Sequence, residues 1–251
     1  MPMSINWLLP TVLSTTAGAV DVIGFLALGG LFTAHITGNL VVLAAHYVTG
    51  GFNQAGPLLS VPVFVAVLGA VTLAVGTPRD LRASRRTLLI LQLAFLGGFL
   101  GLGIACGPFA DPGSALAIAA GMLGVAAMAA MATQGALVKL ALPGSPSTAV
   151  LTTNTTQLAV DLATLVRRRG ELNELAQARH RTKAIFPCVA GFVIGGAAGA
   201  FLEVHSQLAA LAMPVMLAAL AVPLGEVWSD NRNTTITAGV ISFPNQQTVK
   251  E

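Results

Sequence analysis

The sequence predicts an all-α integral membrane protein, and three observations carry the prediction. Of 251 residues, 55% are hydrophobic and only 9% charged, where a soluble domain carries about 25% charged residues. Apolar runs close to the roughly 20 residues that cross a bilayer's hydrocarbon recur along most of the chain. The basic residues are patterned rather than dispersed: ten of the 13 Lys and Arg sit in two short clusters between apolar segments. That clustering reads as membrane topology, not as a nucleic-acid surface, despite the net charge of +3. Backbone groups in lipid are satisfied only within helices or closed barrels, so runs of this length mean a helical bundle.

Six segments read as membrane helices, at about Trp7 to Gly30, Leu58 to Gly76, Leu88 to Gly107, Ala115 to Val138, Ala184 to Phe201 and Leu208 to Pro223. The first resembles a signal peptide in its small residues Ala17-Gly18-Ala19. It lacks the positive leader of one, since no Lys or Arg precedes Arg79, and a retained helix is expected. The basic clusters, Arg79 to Arg86 and Arg167 to Lys183, are expected on the cytoplasmic side. Within the second, Glu171 to Lys183 reads either as an amphipathic surface helix or as a solvated connector. Residues 1–227 form one membrane domain, and 228–251 a polar cytoplasmic tail.

Two stretches are only half apolar. Leu31 to Val48 opens LFTAHITGN, and Ser147 to Val166 reads STAVLTTNTTQLAVDLATLV, with six Thr, one Asn, one Gln and Asp161. Such groups are costly against lipid and must face protein or water. If both stretches crossed, one basic cluster would be exported. If Leu31 to Val48 re-enters from outside and Ser147 to Val166 from inside, both termini and all 13 basic residues stay on the cytoplasmic side. The fold expected is therefore six transmembrane helices plus two polar, re-entrant or broken segments.

This scheme contains an inverted 3+3 repeat: a helix with one polar residue, an Asn-bearing segment and two more helices, then the same again upside down. Asp21 with Ile36-Thr37-Gly38-Asn39 answers to Gln134 with Leu151-Thr152-Thr153-Asn154. Many transporters build mid-membrane sites from such repeats with broken helices.

The candidate solute or ion pathway follows from cost. Asp21 stands among apolar residues of the first segment, where a carboxylate costs a few kcal/mol on the mildest scale. It is read as a proton- or cation-binding group, against the alternative of an acid that only fixes packing. His35, Thr37, Gly38 and Asn39 follow a Gly29-Gly30 break and can line a cavity; His35 can titrate near neutral pH. If Ser147 to Val166 is helical, Asn154, Gln157 and Asp161 share one face, with Thr153 beside them. Gln134 is the expected partner of that segment. Gly191, Gly195 and Gly199, like Gly97 and Gly101, recur at the spacing that lets helices approach, and either set could serve a homo-oligomer. Cys106 and Cys188 lack metal-ligand spacing, and no catalytic triad, phosphate loop or cofactor motif is visible.

Asp21-Val22-Ile23-Gly24-Phe25 followed by LGGLFTAHITGN, with TAVLTTNTTQLAVDL later, resembles the YoaK-like family of bacterial membrane proteins, domain of unknown function family 1275, over roughly residues 10 to 225. The resemblance implies a polytopic bacterial inner-membrane protein and supplies no substrate. It carries weight at Asp21, His35, Thr37, Gly38 and Asn39, and less at Thr153, Asn154, Gln157 and Asp161. The leading expectation is a transporter or channel for a small polar solute, coupled to protons through Asp21 or Asp161. The alternative is a membrane scaffold or sensor. An enzyme is not expected.

Overall fold

The computed structural model describes residues 7–49, 55–76, 80–106, 115–149, 151–167 and 172–228. Eight α-helices follow one another, without a strand among the described residues: α1 (Leu8–Ala27), α2 (Ile36–Thr49), α3 (Ala55–Val75), α4 (Leu81–Cys106), α5 (Ala115–Ala141), α6 (Leu151–Arg167), α7 (Leu172–Ser206) and α8 (Ala212–Val227). A 3-10 turn, Gln207–Leu211, joins the last two. Five segments are long and apolar enough to cross a membrane: Leu8–Ala27, Pro57–Val75, Leu81–Ala105, Gly124–Ala141 and Leu172–Val227. The last of these contains both α7 and α8.

Local chemistry sets the helix ends. Gly29 and Gly30, at φ 66° and 90°, take left-handed backbone that only glycine adopts cheaply, and α1 stops just before them. α4 begins earlier than its apolar run suggests. Asp80 caps it, its Oδ1 accepting from the backbone N–H of Arg82 at 2.9 Å, so most of the first basic cluster lies inside the first turns of a helix, not in a loop. The expected connector Glu171 to Lys183 is, from Leu172 on, the first third of α7, which is 35 residues long. Its Leu, Glu, Ala, Gln, Arg and Lys are good helix formers, and nothing interrupts them.

Two buried clusters mark the two ends of the bundle. Leu9, Leu13, Leu88, Leu89, Leu137, Ala141, Leu142 and Ala221 pack at one end, and Ile23, Leu28, Leu96, Phe99, Ala127 and Leu208 at the other. The first is here termed the basic end, because Arg85 closes it. This side chain is 1% exposed; its Nε donates to Gly225 O at 2.8 Å, and its terminal nitrogens reach Ala141 O and Trp228 O at 3.4 Å. A cation there meets carbonyls left over at the ends of α5 and α8. α4 therefore runs away from the basic end while α5 and α8 run toward it.

α1 and α7 pack most intimately. A Cβ on Gly191 would meet Thr11 O at 3.0 Å, one on Gly195 would collide with the Thr15 backbone, and one on Gly199 would meet Ala19 O at 3.0 Å. The rising pairs 11 with 191, 15 with 195 and 19 with 199 show that the helices run in the same direction. The four-residue glycine spacing presents a backbone groove along α7 into which α1 settles. Gly97, Gly98 and Gly101 of α4 have no neighbour within 4 Å of a built Cβ. The two glycine sets therefore differ in use, although their spacing is alike.

α7 ends where Gln207 adopts φ 51°. Leu208 then lies beside Gly103, near the end of α4, and Gly225 beside Leu89, near its start. The chain thus reverses at the 3-10 turn, and α8 returns antiparallel to α4. α3 packs mainly on α5, α2 on α3, and α6 on α7.

Candidate functional site

Between α1 and α2 the chain folds back on itself. Asp21 lies six residues before the end of α1, about 9 Å along the axis at 1.5 Å per residue, yet it bonds residues 33 to 35, which follow that end. Its Oδ1 accepts the backbone N–H of Thr33 at 2.8 Å, of Ala34 at 2.7 Å and of His35 at 3.3 Å. Its Oδ2 lies 2.7 Å from His35 Nδ1. The linker 28–35 is therefore drawn down alongside α1, and α2 starts from inside the bundle. The carboxylate is 3% exposed. Its cost is met by backbone donors and the His35 ring, not by Asn39, Asn154 or Gln157.

Chemically the two oxygens differ. Three N–H groups converge on Oδ1, leaving no room for a proton there, whereas Oδ2 and Nδ1 at 2.7 Å share one between them. The His35 side chain is 35% exposed, so it is the open side of a sealed carboxylate. Its ring stands edge-on to Phe192 of α7, centroids 5.4 Å apart.

Asn39 pins the other end of this fold-back. Its Oδ1 accepts from Phe32 N and its Nδ2 donates to Phe32 O, both at 2.8 Å, and it is fully buried. A side-chain amide thus completes a backbone amide, which an unpaired buried peptide group requires. Gly38 leaves space for the Phe32 ring, 3.1 Å from a built Cβ, and donates its N–H to His35 O. Thr37 is exposed.

The second polar stretch shows the same construction. Gln134 on α5 donates through Nε2 to Thr148 Oγ1 at 2.8 Å and to Leu13 O at 3.0 Å, and its Oε1 accepts from Gln92 at 2.7 Å. The linker after α5 is thus drawn back into the bundle. Asn154 donates to Ser147 O, seven residues back, the separation at which Asn39 meets Phe32. Further along α6, Asp161 is fully buried. Arg181 of α7 binds it through Nη2 at 2.6 Å and through Nε, and Gln157 donates to it at 3.0 Å. A guanidinium that never loses its proton favours the charged carboxylate. Asp161 is thus paired with a permanently charged guanidinium, whereas the side-chain partner of Asp21 is an imidazole. Thr153 is exposed.

The structure therefore gathers the candidate residues into two sets: Asp21, His35, Gly38 and Asn39 around one linker, and Gln134 and Asn154 around the other, with Gln157 and Asp161 on the adjoining seam of α7. α2 and α6 do not pack substantially on each other. Three contributors escaped sequence reasoning. Gln92 was legible as a single amide in an apolar run. Arg181 read only as topology, and the Phe32 peptide has no side-chain signature. Gln92 Oε1, Ser14 Oγ and Thr33 Oγ1 are buried without a hydrogen-bond partner.

The model of the family described as "Protein of unknown function (DUF1275)" matches residues 9–224. The chain belongs to this family. It is also similar to the UPF0700 transmembrane protein YoaK of Bacillus subtilis (strain 168), 61% identical over 33 residues. That match covers 13% of this chain and 15% of the relative, well short of either whole length. No solved structure matches. Family and helices together make this a multi-pass membrane protein.

Proposed function

We propose that this family member is a transporter or channel for a small polar solute, coupled to protons through Asp21 and His35. One observation carries the reading: a carboxylate buried inside a membrane helix holds a folded-back linker by three N–H groups and shares its remaining proton site with a partly open imidazole. Moving a proton on or off this pair changes the grip on the segment that positions α2, with Gly29 and Gly30 as the joint. Across the two polar segments Thr, Asn and Gln outnumber charged groups, which favours a neutral or cationic solute over a strongly anionic one.

The architecture proposed is six crossings, α1, α3, α4, α5, α7 and α8, with α2 and α6 as half-helices in an inverted 3+3 repeat. Its support is the matched bonding: Asp21 to residues 33–35 against Gln134 to Thr148, and Asn39 to Phe32 against Asn154 to Ser147. The oppositely directed α1 and α5 also support it. The basic end is proposed as cytoplasmic, in a bacterial inner membrane, with both chain termini on that side. Any homo-oligomer would use the open glycine face of α4, since that of α7 is filled. The reading is non-enzymatic.

The test is flux in proteoliposomes, using labelled polyols, amides and amines with and without a pH gradient. The wild type should accumulate at least one class, and Asp21→Asn should abolish gradient-driven accumulation while leaving downhill flux. A wild type that moves none of them, or an Asp21→Asn protein that accumulates normally, removes the proposal.

A scaffold or sensor is the second reading, favoured by the way Asn39 and Asn154 are each spent on pinning their own linkers. Under it, Asn39→Ala and Asn154→Ala should lower the melting midpoint in detergent and leave any solute accumulation in cells untouched. Asn39→Ala takes the amide away from the part-buried Phe32 N–H and C=O, at about 1–3 kcal/mol. Under the transporter reading both melting and accumulation fall.

A further inference from the structure

The sequence marks the Asn154, Gln157 and Asp161 stripe as the wet side of α6, but the structure turns that stripe inward. Asn154, Leu158 and Asp161 are the buried residues of this helix, facing the linker and α7. Its outward residues begin with four hydroxyls: Thr152, Thr153, Thr155 and Thr156 are all exposed.

These threonines do not lie outside the bundle. The linker just before them bonds Gln134, which is seven residues from the end of α5 and so about 10 Å inside the basic end. Lipid there would meet a hydroxyl surface, and a hydroxyl without a partner in hydrocarbon costs several kcal/mol. Threonine often avoids this by returning its hydroxyl to the carbonyl four residues back, as Thr164 does to Val160 at 2.9 Å. For Thr152 and Thr153 that carbonyl precedes the helix. Beyond the threonines the same outward face of α6 carries exposed Val160, Leu162 and Val166, so its hydroxyl surface is confined to the first turns; α2, by contrast, exposes Leu40 and Val41 in its first turns, a surface suited to lipid.

We infer that the threonine face of α6 lines a water-filled vestibule, open at the basic end and closed on its inner side by the Gln134–Thr148 contact. Arg181 of α7, 45% exposed, grips the buried Asp161 six residues before the end of α6, on the seam between wet face and dry face. The surface takes ligands that both donate and accept hydrogen bonds: water first, and hydroxyl- or amide-bearing solutes with it. This deepens the transporter reading by giving the solute its approach, and it places that approach opposite the stripe that polarity alone selects.

The experiment is site-directed spin labelling of the full chain in lipid vesicles, at Thr152→Cys, Thr155→Cys and Thr156→Cys, with Val41→Cys and Ala44→Cys on α2 for comparison. Collision rates are read with a water-soluble paramagnetic chelate and with oxygen, which concentrates in hydrocarbon. At the α6 positions the chelate should dominate by severalfold, and at the α2 positions oxygen should. Oxygen dominance or equal rates on α6 would place these threonines against lipid tails or head groups and overturn the inference. Low rates for both probes would place them against a second copy and overturn it too. The readout needs no transported solute, so a protein that moves nothing but shows chelate access loses the transporter and keeps the vestibule.

Discussion

Gly195→Leu is expected to abolish the folded protein. A Cβ at this position collides with the backbone of Thr15, and backbone has nowhere to go, because the flanking Gly191 and Gly199 also hold α1 close, with Thr11 O and Ala19 O each 3.0 Å from a built Cβ. Overpacking in a well-packed interior costs about 1–3 kcal/mol where side chains can shift. Here a leucine must prise two helices apart along their whole seam, which also carries Phe192 against Gly18. In detergent, size-exclusion chromatography should show aggregate in place of the monodisperse peak. Gly97→Leu and Gly101→Leu are the controls: nothing lies within 4 Å of their built Cβ positions, and both proteins should fold as the wild type does. Equal behaviour of the two sets would mean that α1 and α7 are not packed as described.

Asp21→Ala is the second large effect. It strands three backbone N–H groups, that of Thr33 fully buried, and leaves the partly open His35 ring without its acid; each unpaired donor costs about 1–3 kcal/mol. A melting midpoint lower by many degrees is expected, together with faster proteolysis in 28–35, where the linker loses its hold. Asp21→Asn should be much milder. Its carbonyl oxygen can still receive the three N–H groups, and its NH2 can donate to a His35 ring whose Nδ1 is unprotonated. Only the protonatable group is lost, which is why the asparagine variant serves the flux experiment and the alanine variant the stability one. If alanine and asparagine melt alike and close to wild type, the carboxylate does not hold the linker.

Much of this architecture was legible along the chain. Membrane class followed from composition. The break after α1 followed from Gly29-Gly30, and the shortness of α2 and α6 from the polar residues that lipid would not accept. Asp21, His35 and Asn39 were legible as a set because each is costly in a membrane unless partnered, and cost is a property of residue and depth. Partners are not such a property. That Asp21 would close on the peptides of residues 33–35 depends on how far the linker folds back, which no spacing encodes. The same holds for Asn39, whose partner is the Phe32 peptide and so has no identity in sequence.

What only the tertiary structure decided is which way things face. Gly191, Gly195 and Gly199 have the same spacing as Gly97 and Gly101, but a groove is used only when another helix lies in it, and α1 lies in one alone. Arg181 reads as a topology signal until α6 folds against α7 and brings Asp161 to it. On α6 the sequence sets two polar surfaces, a stripe of amides and acid and, in the first turns, a patch of hydroxyls that gives way to exposed Val160, Leu162 and Val166. Packing against α7 spends the first on holding the helix in place and leaves the second outward, because only the face with strong enough donors and acceptors can compensate burial against protein.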